Sequence, residues 1–159
     1  MNPNATKLAD RIRAFNDQVI AFVEQCTSEQ WQKICAWEEW PVGVTARHIG
    51  AGHFEAIGLA EMIINGQKLP ELTMDDLKQM GNQHAREHAT CSREEVLTIL
   101  HENGTSAADF VAGLTDAELD RNAYLALTGG DVTAGQLLDY VILDSGGEHL
   151  ASMKSAAKG

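Results

Sequence analysis

The sequence predicts an all-α fold of four long helices, joined by long crossover connections and short extra helical turns, in a single domain over residues 1–159. Three observations carry this. Apolar residues recur at three- and four-residue spacing along most of the chain, no stretch of useful length alternates as a strand would, and Ser or Thr stands ahead of several periodic segments with Glu or Gln three residues on. A chain of 159 residues buries about two-thirds of its unfolded surface, so one core suffices without disulfides.

Leu8, Ile12, Phe15, Val19, Phe22 and Val23 give the first helix, from about residue 5 to 26, with Asn4 or Thr6 available as its cap. Thr27-Ser28-Glu29-Gln30 then reads as the start of a short helical turn, and the tryptophan-rich stretch from Trp31 to Pro41 is expected to close one end of the bundle with structural indoles. A second helix is predicted from Val44 to Asn65, with Gly66 just past its end. After Pro70, residues 74–89 read as helical, and Ser92 starts a long helix that runs through Gly104 to about Gly113. Thr115 opens another short turn. Thr128-Gly129-Gly130-Asp131 is the clearest loop, and Thr133 caps a last helix that continues to about Ala157.

The formal net charge of −11, with 12 dispersed Lys and Arg, argues against nucleic acid or an anionic membrane as a partner. It also disfavours strongly anionic substrates. Cys26, Cys35 and Cys91 form no CxxC pair and are odd in number, so they read as small buried hydrophobes in a reducing compartment rather than as a disulfide framework. The first residues have no basic, apolar pattern of a signal peptide and no segment is long enough to span a bilayer, which makes the cytoplasm the expected location.

His149 falls on the stripe Leu138, Val141, Ile142, Ser145, His149, Ser152, the face of the last helix that looks into the core. His48 lies a hundred residues upstream, and Glu55, seven residues after it, points the same way past Gly52. Two inward histidines suggest a metal or catalytic centre; the plain alternative is a pair of core histidines, each satisfied by a neighbour. His53 sits on an apolar stripe and fits either reading. His84 and His88 have the four-residue spacing of a metal pair, but Gln83, Arg86 and Glu87 around them predict a solvated face away from the centre, and His101 is expected to be exposed.

Trp40-Pro41-Val42-Gly43-Val44-Thr45-Ala46-Arg47-His48-Ile49, Asn82, Thr133-Ala134-Gly135-Gln136-Leu137-Leu138 and the run Asp144 to Met153 together resemble, in order and spacing, the motifs of the DinB-like superfamily of four-helix bundles. That superfamily includes YfiT-like metal-dependent hydrolases and bacillithiol- and mycothiol-dependent S-transferases. The resemblance covers nearly the whole chain and implies a homodimer and a divalent metal, nickel or zinc, held by a residue of the second helix and a pair four apart on the last. His48 matches the first ligand and His149 the third. Ser145 stands at the middle position, where serine is a poor ligand, so the implied site is depleted to two imidazoles. Asp144 is turned about 100° away on an ideal helix, and only a distortion near Gly146-Gly147 would bring it in.

Two functions follow as expectations. One is a metal-assisted thiol S-transferase or hydrolase acting on a small molecule, in which His48 and His149 hold the ion while Ser145 or Glu148 orients the nucleophile or shuttles a proton. The other is a metal-free, non-catalytic bundle that binds a small apolar ligand or a partner.

Overall fold

The computed structural model describes residues 2–159. Helix α1 (Pro3–Gln25) begins earlier than its periodicity implies, because Pro3 takes the first position, where a missing N–H costs nothing, and the Asn2 side chain accepts from the Asn4 amide. Helix α2 (Ser28–Gln32) is held by a reciprocal pair of bonds between Thr27 and Gln30. Helix α3 (Val42–Ile64) ends at Asn65 with Gly66 at φ +71°, the left-handed position that glycine occupies without strain. Helices α4 (Met74–Glu87), α5 (Arg93–Ala112) and α6 (Asp116–Leu119) start at Thr73, Ser92 and Thr115, each accepting from the amide three residues on. The last helix is continuous but not uniform. It comprises α7 (Ala134–Leu138), a π-helical stretch over Asp139–Ser145, and α8 (Gly146–Lys158).

One expectation is corrected. Residues 122–133, read from sequence as free of strands, form an antiparallel hairpin of β1 (Asn122–Leu125) and β2 (Gly130–Thr133), with Gly129 at φ +70° in its turn. Four-residue strands are too short to show periodicity, and pairing across the turn is what stabilises them. Ala123, Leu125 and Val132 pack onto a small apolar cluster of Ile63, Leu69, Ala134 and Leu137, which explains why the hairpin lies where it does.

The main core lies between α1, α3, α5 and the last helix, with Ile12, Val19, Leu100, Val111, Leu138 and Met153 buried. The fold is thus an all-α four-helix bundle with one small sheet. No helix among the described residues is long and apolar enough to cross a membrane.

His53 is resolved by this core in favour of the structural reading. It is 1% exposed, its Nε2 stands 2.9 Å from Asn16 Oδ1, and Asn16 Nδ2 donates to the Leu100 carbonyl at 3.0 Å. Asn16 therefore accepts from His53 and bridges it to α5. Burial lowers the His53 pKa to about 4. In the unfolded chain the imidazole takes up a proton below about pH 6.5, whereas the folded protein resists until about 4, so stability present at neutral pH is lost as pH falls through that window. Urea unfolding is expected to show wild type losing about 2 kcal/mol more than His53→Gln between pH 7 and pH 5, since each unit of that gap is worth about 1.4 kcal/mol. Parallel pH profiles would contradict this.

Candidate functional site

The site is built first by the loop ahead of α3. Cys35 donates its amide to the Trp40 carbonyl at 2.8 Å, Glu39 to the Cys35 carbonyl at 2.9 Å and Val42 to the Lys33 carbonyl at 2.8 Å, which closes residues 33–42 into a tight turn. Within it Glu39 adopts φ 62°, the one non-glycine residue with positive φ among the described residues. Such a conformation costs about 1–2 kcal/mol outside glycine and is kept only where the surroundings demand it. Its consequence is that Glu38 and Trp40 face the bundle while Trp37 is left 90% exposed. The expectation that all three indoles are structural therefore fails at Trp37. Trp31 does pack inside, donating to the Cys91 carbonyl, whereas Trp40 donates to Asn82 Oδ1 at 3.0 Å and becomes a wall of the site.

Helix α3 and the last helix then bring His48 and His149 together, with ring centroids 5.0 Å apart and planes nearly perpendicular. Trp40 flanks both, at 5.1 Å from His48 and 6.5 Å from His149. Between the two helices lies a cavity of about 60 Å³ lined by His48, Gly52, Glu55, Ser145 and His149, with Ile49, Val141, Ile142 and Gly146 as its apolar wall. The π-helical stretch ends at Ser145, so the irregularity of the last helix sits at the cavity wall. Burial, reinforced by the neighbouring His149 and His84, lowers the His48 pKa to about 4 and keeps it neutral at physiological pH. Burial also raises the Glu55 pKa, although that side chain remains largely exposed on its outer side.

Glu148, expected as a catalytic group, is exposed and does not line the cavity, because one residue along an α-helix turns a side chain by about 100°. Asp144 is exposed as well, the distortion before Gly146 notwithstanding. The carboxylate that reaches His149 is instead Glu38, 7% exposed, with Oε1 at 3.5 Å from Nδ1. Burial by itself would raise the Glu38 pKa, but the adjoining His149 and Ser152 outweigh it and hold the pKa below its ordinary value. Glu38 lies in a non-periodic loop, so no stripe or spacing could have revealed it.

A further correction concerns His84. It does not lie on a solvated face apart from the centre but packs on His48 with centroids 5.6 Å apart, and His88 lies 4.8 Å beyond it. Arg47 explains the difference. Its Nη1 stands 2.8 Å from His84 Nε2, and since a guanidinium only donates, that nitrogen accepts and the proton sits on Nδ1. Arg47 acts with burial to push the His84 pKa down to about 4. Polar neighbours in sequence thus mark one face of α4, while Gly81 and His84 pack inward against Trp40 and His48. His101 is exposed, and the three cysteines are free with thiol pKa values raised by burial.

The donor set does not fit the implied metal. Among the described residues no group of three or more His, Cys, Asp or Glu stands where it could hold an ion, and the middle position of the implied ligand set is a serine hydroxyl.

A family model described as the DinB superfamily matches residues 11–146, most of the chain. The chain belongs to the DinB superfamily. Its fold is similar to that of YfiT from Bacillus subtilis, a solved structure described as "a probable metal-dependent hydrolase with an unusual four-helix bundle topology", with TM-score 0.76 at 16% identity over 97% of this chain and 86% of that one. No curated protein matches the sequence. At that identity the likeness concerns the fold, and within it this DinB-superfamily protein pairs His48 and His149 across a cavity that Ser145 also lines.

Proposed function

We propose that this DinB-superfamily protein is a hydrolase whose reaction is carried by the His48–His149 cavity rather than by a three-ligand metal centre. The observation that supports it is the facing pair of imidazoles, one of them neutral by burial, with a hydroxyl from Ser145 on the same cavity wall. A neutral imidazole is a base of suitable strength near neutral pH. His149 takes a proton from a water as its oxygen adds to an electrophilic carbonyl carbon, and returns that proton to the departing group. His48 and Ser145 hydrogen-bond the water and the carbonyl oxygen.

The cavity size favours hydrolysis over thiol transfer. About 60 Å³ holds a few ordered waters, each needing about 10–15 Å³, whereas sites for whole organic ligands run to about 300–1,000 Å³. Water and one reacting group fit; a thiol cofactor beside its substrate does not. With a net charge of −11 and Glu55 on the cavity, a neutral or cationic substrate is favoured.

The test is hydrolysis of a panel of small esters and amides by untagged, chelator-treated protein. Turnover is expected for at least one of them, with His149→Gln lowering kcat about 100-fold or more, as loss of a general base does. Activity that vanishes on chelation and returns with added metal would overturn the reading, as would full activity of the variant.

A further inference from the structure

Four buried polar atoms at the site lack a hydrogen-bond partner, Arg47 Nε, His84 Nδ1, His149 Nδ1 and Glu38 Oε2, and the last two face each other. These two belong to one pair, with the other Glu38 oxygen 3.5 Å from His149 Nδ1, at the outer edge of hydrogen bonding. A glutamate side chain is ordinarily a carboxylate at neutral pH. A carboxylate can only accept, so a lone pair on Nδ1 would oppose it and an N–H would be attracted. Small shifts of this kind commonly tighten when a site is filled.

We propose that Glu38 is a positioning residue that holds His149 as the Nδ1–H tautomer and leaves the Nε2 lone pair as the base presented to the cavity. Two features of the fold serve this. The backbone at Glu39 is kept in a left-handed conformation that turns Glu38 inward, and Trp40 stacks on the His149 ring at an interplanar angle of 24°, which fixes the plane in which Nδ1 meets the carboxylate. Ser152, one turn beyond His149, stands beside the same carboxylate. The proposal deepens the hydrolytic reading, on which the role of His149 as base rests, but the tautomer itself can be read without any turnover.

Protein labelled with ¹⁵N-histidine, observed above neutral pH by two-bond ¹H–¹⁵N correlation, reports which nitrogen of each ring carries the proton. For wild type the expected result is Nδ1–H at His149, with Nε2 unprotonated. Glu38→Leu is expected to switch His149 to the Nε2–H form that free histidine favours, and Glu38→Gln, whose amide oxygen still accepts, to keep the wild-type form. His53, held as Nε2–H by Asn16, is the internal reference that the bundle remains folded. Where hydrolysis is measured, Glu38→Leu should lower kcat by about 10- to 100-fold with little change in KM. Wild-type His149 in the Nε2–H form, or a tautomer unmoved in Glu38→Leu with the His53 signal intact, would overturn the proposal. A switch of tautomer in a protein that hydrolyses none of the panel would uphold it and sink the hydrolytic reading instead.

Discussion

Gly104→Ala is expected to destabilise the bundle by about 2–4 kcal/mol, although alanine is the better helix former by about 1 kcal/mol. A methyl group at Gly104 would lie 2.2 Å from Asn16 Nδ2, 2.5 Å from its Cγ and 2.8 Å from its Oδ1. Asn16 has no room to retreat, being 5% exposed and bonded at once to the Leu100 carbonyl and His53. Displacing it leaves the buried His53 N–H and the Asn16 side-chain amide without partners, at about 1–3 kcal/mol each, and this outweighs the gain in helix propensity. The cause can be isolated by a double-mutant cycle. In an Asn16→Ala background the clash is gone, and the same Gly104→Ala change should be neutral or stabilising by up to about 1 kcal/mol in chemical denaturation. An equal loss in both backgrounds would show that the contact with Asn16 is not the reason glycine stands there.

Ser145→His is expected to raise the affinity for nickel or zinc by about 100-fold or more, given that even an outer partner of a metal ligand is worth about 10–100-fold. The position lines the same cavity as His48 and His149, and His48 is already in the neutral form that coordination requires. A third nitrogen donor there would complete a set that is now two imidazoles and a hydroxyl. Calorimetric titration of untagged wild type and variant separates the outcomes. Tight binding by both would mean that another side chain already closes the shell, against the misfit described above. A destabilised variant that binds no better than wild type would mean that the cavity has been remade and cannot take the ring.

Much of this molecule was legible in one dimension because its signals are local. Thr27, Ser92, Thr115 and Thr133 each announce a helix start through a bond three residues on, and the four long apolar stripes identify the faces that α1, α3, α5 and the last helix bury. His48 and His149 were visible for the same reason, as polar residues on inward stripes carrying the order and spacing of the DinB motifs. Where the reading failed, the deciding partner was distant in sequence. The hairpin at 122–133 exists because two four-residue strands pair and settle on Ile63 and Leu69. His84 turns inward because Arg47, on another helix, supplies its hydrogen bond.

The sequence by itself determined the helices, their burial faces, the superfamily and the serine that stands between the two inward histidines in the implied ligand set, since each depends on residue type at a fixed spacing within one element or motif. Only the tertiary structure decided which groups share the site. Glu38 reaches His149 from a loop more than a hundred residues away, through a turn strained at Glu39, while Glu148, its immediate neighbour in sequence, faces solvent. Helix geometry fixes direction over a few residues, but the pairing of a carboxylate with an imidazole across the bundle is set by packing, which no local pattern encodes.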